Sequence, residues 1–280
     1  MRSADLDVFL TDHPRAIVAE LASVRGSSPR EPGTFMVIAP DGLLGTIGGG
    51  ALEHMVIARA RKAMRGMMDV PLGPEIGQCC GGRAVVMLRA VVRADKERLI
   101  ARLREKEAVL PDVYLFGSGH VGKALARALV ALPLKVHVVD TRPDELHDLP
   151  VGVDARAVPM PEAVVRSAPE GSAFVILTHD HALDFLIAAE ALGRADARYI
   201  GMVGSRTKRA KFRSWYLNEA GGSEAALRRL VLPIGDFGLV DKRPEVIAAL
   251  AAAEIMVQIG RREVSALREP VSEYLGADSD

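Results

Sequence analysis

Two adjacent cysteines, Cys79 and Cys80, lie in the sequence GQCCGG and are the only cysteines of the 280-residue chain. A disulfide framework is a poor explanation, because neighbouring residues bridge only through a strained ring and no third cysteine is present. We interpret both as thiols. In extended backbone their side chains point to opposite faces, so one thiol can meet a ligand while the other packs inward. A thiolate suits a soft metal such as molybdenum, or sulfur chemistry; a buried, inert cysteine pair is the alternative.

A run of three glycines in IGGGALE, Gly48 to Gly50, directly precedes a predicted helix. Successive backbone N–H groups in such a run can form an anion-binding nest. Glu53, in the first turn of that helix, can interact with the helix dipole or contact a ligand. A strand bulge followed by a helix with an acidic first turn explains the same residues. Upstream, in GSSPREPG, Arg30 could hold an oxyanion or simply cover a loop.

The stretch VYLFGSGHVGKALARAL contains G-x-G-x-x-G, formed by Gly117, Gly119 and Gly122, at a predicted strand-to-helix turn. Asp140 ends the next predicted strand, as in dinucleotide-binding folds. Such a turn brings backbone N–H groups and the positive end of a helix dipole to a phosphate. The spacing therefore predicts phosphate or dinucleotide binding, against the alternative of a glycine turn that only packs helix on sheet.

Two later segments, THDH and GSRTKR, follow predicted strands, where open α/β sheets bind ligands. His179 and His181 could hold a metal, although Thr178 or Asp180 could simply cap the next helix. In the second segment Ser205 or Thr207 can cap a helix, while an anion could be contacted by Arg206, Lys208 and Arg209. A solvated basic helix start is the alternative for these cations.

The elements that position these residues fall into two halves. Residues 14–92 are predicted to form strands with glycine turns and one helix, a mixed α/β unit. A charged helix over residues 96–108 leads to Pro111, after which short apolar runs alternate with helical segments. This alternation predicts a mainly parallel sheet covered on both faces. We place a first domain at 1–108, a second at 109–262 and a loosely attached tail at 263–280.

Composition excludes some functions. The chain has 36 basic and 36 acidic residues, so no net charge draws it to nucleic acid or to an anionic membrane surface. No signal peptide or membrane-spanning run is expected, which predicts a cytoplasmic protein, and a reducing compartment suits two free thiols.

The chain resembles the XdhC/CoxI family, whose motifs occur here in the family's order: GSSPREPG (26–33), GTIGGGALE (45–53), GQCCGG (77–82), LFGSGHVGKALA (115–126), ILTHDHALD (176–184), YIGMVGSRTKR (199–209) and PIG (233–235). The resemblance implies an N-terminal XdhC-type domain joined to a Rossmann-like domain, commonly as a homodimer. It implies a chaperone of the molybdenum cofactor (molybdopterin) and not a catalyst. Such a protein protects the sulfurated cofactor, works with a cysteine desulfurase and delivers the cofactor to a xanthine dehydrogenase-type apo-enzyme.

Residue roles follow from the same resemblance. One thiol of the Gln78-Cys79-Cys80 segment would face the molybdenum, and the glycines at 48–50 or at 117–122 would hold the phosphate of the pterin. The turn at 117–122 could instead bind a separate nucleotide.

Two other functions compete with this one. An NAD(P)-dependent oxidoreductase would use the glycine turn, with Asp140 on a ribose and His120 or His179 in proton transfer, but it leaves GQCCGG unexplained. A redox or metal sensor would bind zinc or copper through the cysteines and THDH.

Overall fold

The computed structural model describes residues 1–26, 30–62, 65–73, 81–239 and 241–266, with side chains described as far as residue 260. The chain divides into two compact units, Met1–Val109 and Leu110–Asp280. The sequence-based boundary lies after residue 108.

The first unit is built on a five-stranded antiparallel sheet with the order β3-β2-β1-β5-β4. Its strands are β1 (Ile17–Arg25), β2 (Phe35–Ile38), β3 (Leu43–Gly45), β4 (Gly66–Leu72) and β5 (Gly82–Ala90), and its helices are α1 (Ser3–Asp12), α2 (Gly50–Arg61) and α3 (Arg93–Ala108).

Both faces of this sheet are covered, because apolar residues occupy successive positions and side chains alternate between faces. On β1, Ala19 and Leu21 pack in the cluster that contains the buried face of α2. Val18, the residue before Ala19, packs with residues of α1 and α3 on the opposite face. The unit is therefore a three-layer α/β arrangement, in agreement with the predicted mixed α/β class.

The second unit contains a six-stranded parallel sheet with the order β11-β10-β9-β6-β7-β8. Its strands are β6 (Asp112–Phe116), β7 (Lys135–Asp140), β8 (Val153–Ala157), β9 (Ala173–Ile176), β10 (Tyr199–Met202) and β11 (Leu230–Val231). Its helices are α4 (His120–Val130), α5 (Pro161–Ser167), α6 (His181–Gly193), α7 (Arg206–Asn218), α8 (Glu224–Leu227) and α9 (Pro244–Ala266), with a short 3-10 helix at Pro143–Leu146.

Read from β8, this strand order is 3-2-1-4-5-6, the doubly wound order of the Rossmann fold. One core cluster joins the sheet to α4 and α9, and a second joins the other face to α5, α6 and α7. Parallel strands buried on both faces confirm the predicted Rossmann-like architecture. The order reverses between β6 and β9, and ligands of such sheets bind outside the carboxyl ends of the strands at that reversal.

The helix predicted to follow the glycine turn is confirmed as α4, which begins at His120. Helix α9 continues to Ala266, past the start of the predicted tail at residue 263, and residues 267–280 lie outside the described part of the chain. Within the described ranges, no helix combines the length and apolar character that crossing a bilayer requires.

Candidate functional site

In the second unit, the glycine turn joins β6 to α4 at the reversal of strand order. Gly117 has φ +112°, and a Cβ there would stand 2.5 Å from the carbonyl oxygen of Leu177. A Cβ on Gly122 would stand 2.1 Å from the carbonyl oxygen of Gly117, so α4 rests directly on the turn. Both positions therefore require glycine for reasons internal to the fold.

Gly119 differs from the other two glycines of the turn. Its φ of −67° is open to any residue, and a Cβ there would meet no atom within 4 Å. Gly119 is the N-cap of α4, where free N–H groups and the helix dipole favour an anion. Neither the backbone angle nor the packing therefore requires glycine at this position.

Asp140 does not take the ribose-facing position that the oxidoreductase hypothesis gives it. The residue is 4% exposed, and its Oδ2 accepts hydrogen bonds from the Ser118 N–H (2.8 Å) and from Arg142 Nη2 (3.2 Å). Its Oδ1 accepts bonds from the Arg142 N–H (3.0 Å) and Nε (3.1 Å). Burial acts to raise the pKa of this carboxyl, but the hydrogen bonds from Arg142 and Ser118 outweigh it and lower the pKa. Asp140 therefore fastens the glycine turn to the end of β7.

The three histidines proposed for proton transfer or metal binding lie on the surface. His120 is the exposed first residue of α4, His179 is exposed after β9, and His181 is the exposed first residue of α6. Asp180 Oδ1 accepts a hydrogen bond from the Ala182 N–H at 2.8 Å. Asp180 therefore caps α6, which is the structural alternative that the sequence predicted for this segment. No group of three His, Cys, Asp or Glu side chains suited to a metal occurs among the described residues.

The GSRTKR segment supplies fewer free cations than the sequence suggests. Ser205 caps α7 by accepting a bond from the Lys208 N–H at 3.3 Å. Lys208 is 7% exposed and pairs with Asp184, and Arg209 Nη1 donates to the Leu232 carbonyl at 2.8 Å. The expectation that Lys208 contacts an anion is wrong, because its ammonium group is buried and paired with Asp184. Arg206 remains exposed in the first turn of α7.

A buried ion pair missed by sequence reasoning holds this edge of the sheet together. Asp184 is fully buried, and its Oδ1 accepts bonds from the Thr178 N–H (3.0 Å) and hydroxyl (2.7 Å) while its Oδ2 pairs with Lys208. Lys208 Nζ also donates to the Val203 carbonyl at 2.9 Å. The loops after β9 and β10 are thus tied to each other. A signal was present, since Asp184 falls on the buried stripe of α6 with Ile187, Ala188 and Ala191.

In the first unit, the glycine nest is occupied by a side chain of the protein. Gly48, Gly49 and Gly50 have φ values of +135°, +77° and +64°. The Glu53 carboxylate accepts bonds from the Ile47 N–H (2.8 Å), the Gly49 N–H (2.9 Å) and the Thr46 hydroxyl. Burial acts to raise the pKa of Glu53, but these bonds prevail and lower it. The predicted open anion site at 48–50 is therefore corrected, because the first turn of α2 fills it from within.

The motif segments of the first unit leave its sheet at one edge. Arg25 at the end of β1 pairs with Arg83 at the start of β5, and Leu72 at the end of β4 pairs with Gly82. The end of β3 pairs with β2 near the start of that strand, at the same edge. The segments 26–33, 45–53 and 77–82 therefore begin or end side by side.

Two of these segments touch at their described ends. A Cβ on Gly26 would stand 3.1 Å from the Cα of Gly82 and 3.6 Å from the Gly81 carbonyl oxygen. The Gly81 N–H donates to the Leu72 carbonyl at 2.8 Å. Gln78, Cys79 and Cys80 lie outside the described residues. Arg30 lies at this edge, exposed, and lines a cavity considered below.

Fold and site together define a two-unit α/β protein with an open glycine turn in a Rossmann unit and a motif-bearing sheet edge in the other. Residues 113–255 match the model of the XdhC Rossmann domain, and residues 10–69 match the model of the XdhC and CoxI family. The chain belongs to this family.

Two known proteins are similar to the chain. Uncharacterized protein YqeB of Escherichia coli (strain K12) is 26% identical over 254 residues, which cover 85% of this chain and 42% of that protein. The chain thus spans less than half the length of this curated relative. A crystal structure from Bacillus halodurans, described as a xanthine dehydrogenase, has a TM-score of 0.71 at 19% identity and covers 98% of each chain. At that identity the similarity shows the fold alone.

Proposed function

We propose that the protein is an accessory factor in the maturation of a xanthine dehydrogenase-type molybdenum hydroxylase, which binds the molybdenum cofactor, protects its sulfurated form and inserts it into the apo-enzyme. Family membership supports the maturation role. The observation that carries the cofactor role is the meeting of the described ends of three motif segments at one sheet edge, where Gly82, the last residue of GQCCGG, begins β5.

Within this proposal the chain supplies a sulfur ligand and phosphate contacts. One thiol of Cys79 and Cys80, beside Gln78, would contact the molybdenum, which the bound cofactor contributes together with its reactive sulfur. The glycine nest at 48–50 is not assigned to the phosphate, because Glu53 fills it. In the other unit, Gly119 leaves room for a separate nucleotide. A cysteine desulfurase and a second copy of the chain are the further partners that we propose.

Purification from two matched hosts tests the proposal. Protein from cells that make the pterin cofactor is expected to carry molybdenum and a fluorescent pterin oxidation product, and protein from a host blocked in pterin synthesis is expected to carry neither. The loaded protein should restore activity to an apo-hydroxylase. Absence of metal and pterin from the first preparation, together with no restored activity, contradicts the proposal.

An NAD(P)-dependent oxidoreductase is the second candidate, favoured by the open position of Gly119 at the start of α4. The closed Asp140 argues against it, because the usual acceptor for a ribose hydroxyl is saturated by Ser118 and Arg142. Calorimetric titration with NADH and NADPH separates the two functions. Micromolar binding with turnover of a carbonyl substrate would favour the oxidoreductase.

A further inference from the structure

A small basic cavity lies at the motif-bearing edge of the first unit. It has a volume of about 220 Å³ and is bounded by the start of β2, the residues at the end of β3 and one side of α3. Two motif segments contribute to it, through Arg30 and Gly33 of GSSPREPG and through Gly45 and Thr46 of GTIGGGALE. Two of the motif segments thus line the same cavity.

Basic side chains line the cavity. They are Arg30 and Lys106, and none of the described lining residues is acidic. Lys106 is exposed, on the last turn of α3. Thr34, which is half-buried, adds a hydroxyl with no protein partner among the described residues. Two cations and a hydroxyl donor around one space are suited to an anion with several oxygens.

A rigid floor supports this arrangement. Arg102 Nη2 donates to the Gly33 carbonyl at 2.6 Å, and its Nη1 donates to Glu20 Oε1 at 2.5 Å. The guanidinium carbon of Arg102 lies 4.7 Å from the centre of the Phe35 ring. The chain on which Gly33 and Phe35 lie is therefore fixed to α3 before any ligand arrives, so that little ordering is required on binding.

We propose that this cavity binds a phosphomonoester group, with Arg30 and Lys106 as its cationic contacts. Its volume is below the roughly 300 to 1,000 Å³ of sites that enclose a whole drug-sized ligand, so it suits a terminal phosphate whose organic part lies outside. That the natural ligand is the phosphate of the pterin rests on the proposed function.

Calorimetric titration of the full chain with inorganic phosphate tests the site. Lys106→Gln and, separately, Arg30→Gln are expected to weaken phosphate binding by about tenfold each, because each removes a charge-assisted contact. The matched control is Arg104→Gln, an exposed cation on the same helix. It lies two residues away, hence about 200° around the helix axis, and borders a different groove.

The outcomes separate the site from the function. The site is overturned if the wild-type chain does not bind phosphate, or if Lys106→Gln and Arg30→Gln bind it as tightly as Arg104→Gln does. If both variants bind phosphate more weakly, but the chain purified from cofactor-making cells carries no pterin, the phosphate site is retained and the proposed function is contradicted. Equal thermal midpoints of the variants exclude loss of folding as the cause.

Discussion

The Cα of Gly82 lies 3.1 Å from the point where a Cβ on Gly26 would stand, so the backbone that leaves GQCCGG and the backbone that enters GSSPREPG are in van der Waals contact. Gly26 has φ +73°, and Arg25, the residue before it, pairs with Arg83 across β1 and β5. The contact fixes the described ends of both motif segments relative to each other.

Gly26→Ala is therefore expected to destabilise the first unit more than Gly33→Ala. Both glycines have positive φ, at +73° and +82°, so both changes carry a similar backbone cost of about 1 kcal/mol. A Cβ on Gly33 meets nothing within 4 Å, whereas one on Gly26 presses on paired backbone. Urea unfolding of the two variants measures the difference. Equal midpoints would contradict the prediction and would show that the backbone of β5 shifts at little cost to accommodate the added methyl group.

Substitutions in the glycine turn should separate stability from binding. Gly122→Ala is expected to lower the free energy of unfolding by about 3 kcal/mol or more, because its Cβ meets the Gly117 carbonyl oxygen at 2.1 Å. Gly119→Ala should cost about 1 kcal/mol or less, the price of a poorer N-cap. The same Gly119 variant should bind a nucleotide at this turn more weakly, measured by calorimetry with NADH. Undiminished binding would mean that no ligand approaches this residue.

The buried Asp184–Lys208 pair should be costly to break from one side. Lys208→Met leaves an uncompensated buried carboxylate and is expected to lower stability by about 3 to 5 kcal/mol. Adding Asp184→Leu should restore part of the loss. The control is Arg213→Ala on the same helix, which removes an exposed pair with Glu224 and should cost about 1 kcal/mol at most. A Lys208 variant as stable as this control would contradict the burial.

Asp140 should contribute to acid sensitivity. Its pKa in the folded protein lies below the ordinary 3.8, so its ionised form stabilises the folded state above that pH. The stabilisation is lost as the pH falls from 3.8 through the lowered pKa. Asp140→Asn should therefore be less stable at neutral pH and should lose stability less steeply between about pH 5 and pH 2. Asp144→Asn, at an exposed position nearby, controls for the loss of one charge.

Cys79→Ser and Cys80→Ser are expected to differ in effect. The sequence predicts that the two side chains point to opposite faces, as they do in extended backbone, so one variant should retain less molybdenum and pterin while the other mainly loses stability. Metal content and thermal midpoint of protein from cofactor-making cells measure the two effects. Equal, negligible effects would mean that the thiols are passive.

The second unit was largely predictable, because its signals are local. Short apolar runs followed by glycine or capping residues predicted β6, α4, α6 and α9, and the alternation of strands and helices along the chain predicted the parallel sheet.

Two edge strands, one in each unit, were not predicted, for physical reasons. The strand β4 contains Pro71, which an edge strand tolerates, and β8 is mostly exposed with charged Asp154 and Arg156.

The candidate sites were less predictable, since partners of polar side chains depend on contacts between distant segments. The sequence locates Glu53 beside three glycines but does not indicate that its carboxylate fills the nest. Likewise Lys208 looks like a surface cation until α6 places Asp184 beneath it. Lys106 lies in a charged helix, and only the folded structure shows that it lines a cavity together with residues of β2 and β3.

The packing of Gly117 against Leu177 has a consequence for synthesis of the chain. The backbone that closes over the glycine turn belongs to the segment after β9, about sixty residues downstream. A nascent chain that has emerged from the ribosome only through β8 therefore contains the glycine turn but lacks the backbone segment that packs against it. The packing around the glycine turn is therefore completed only after the segment that follows β9 has been synthesised.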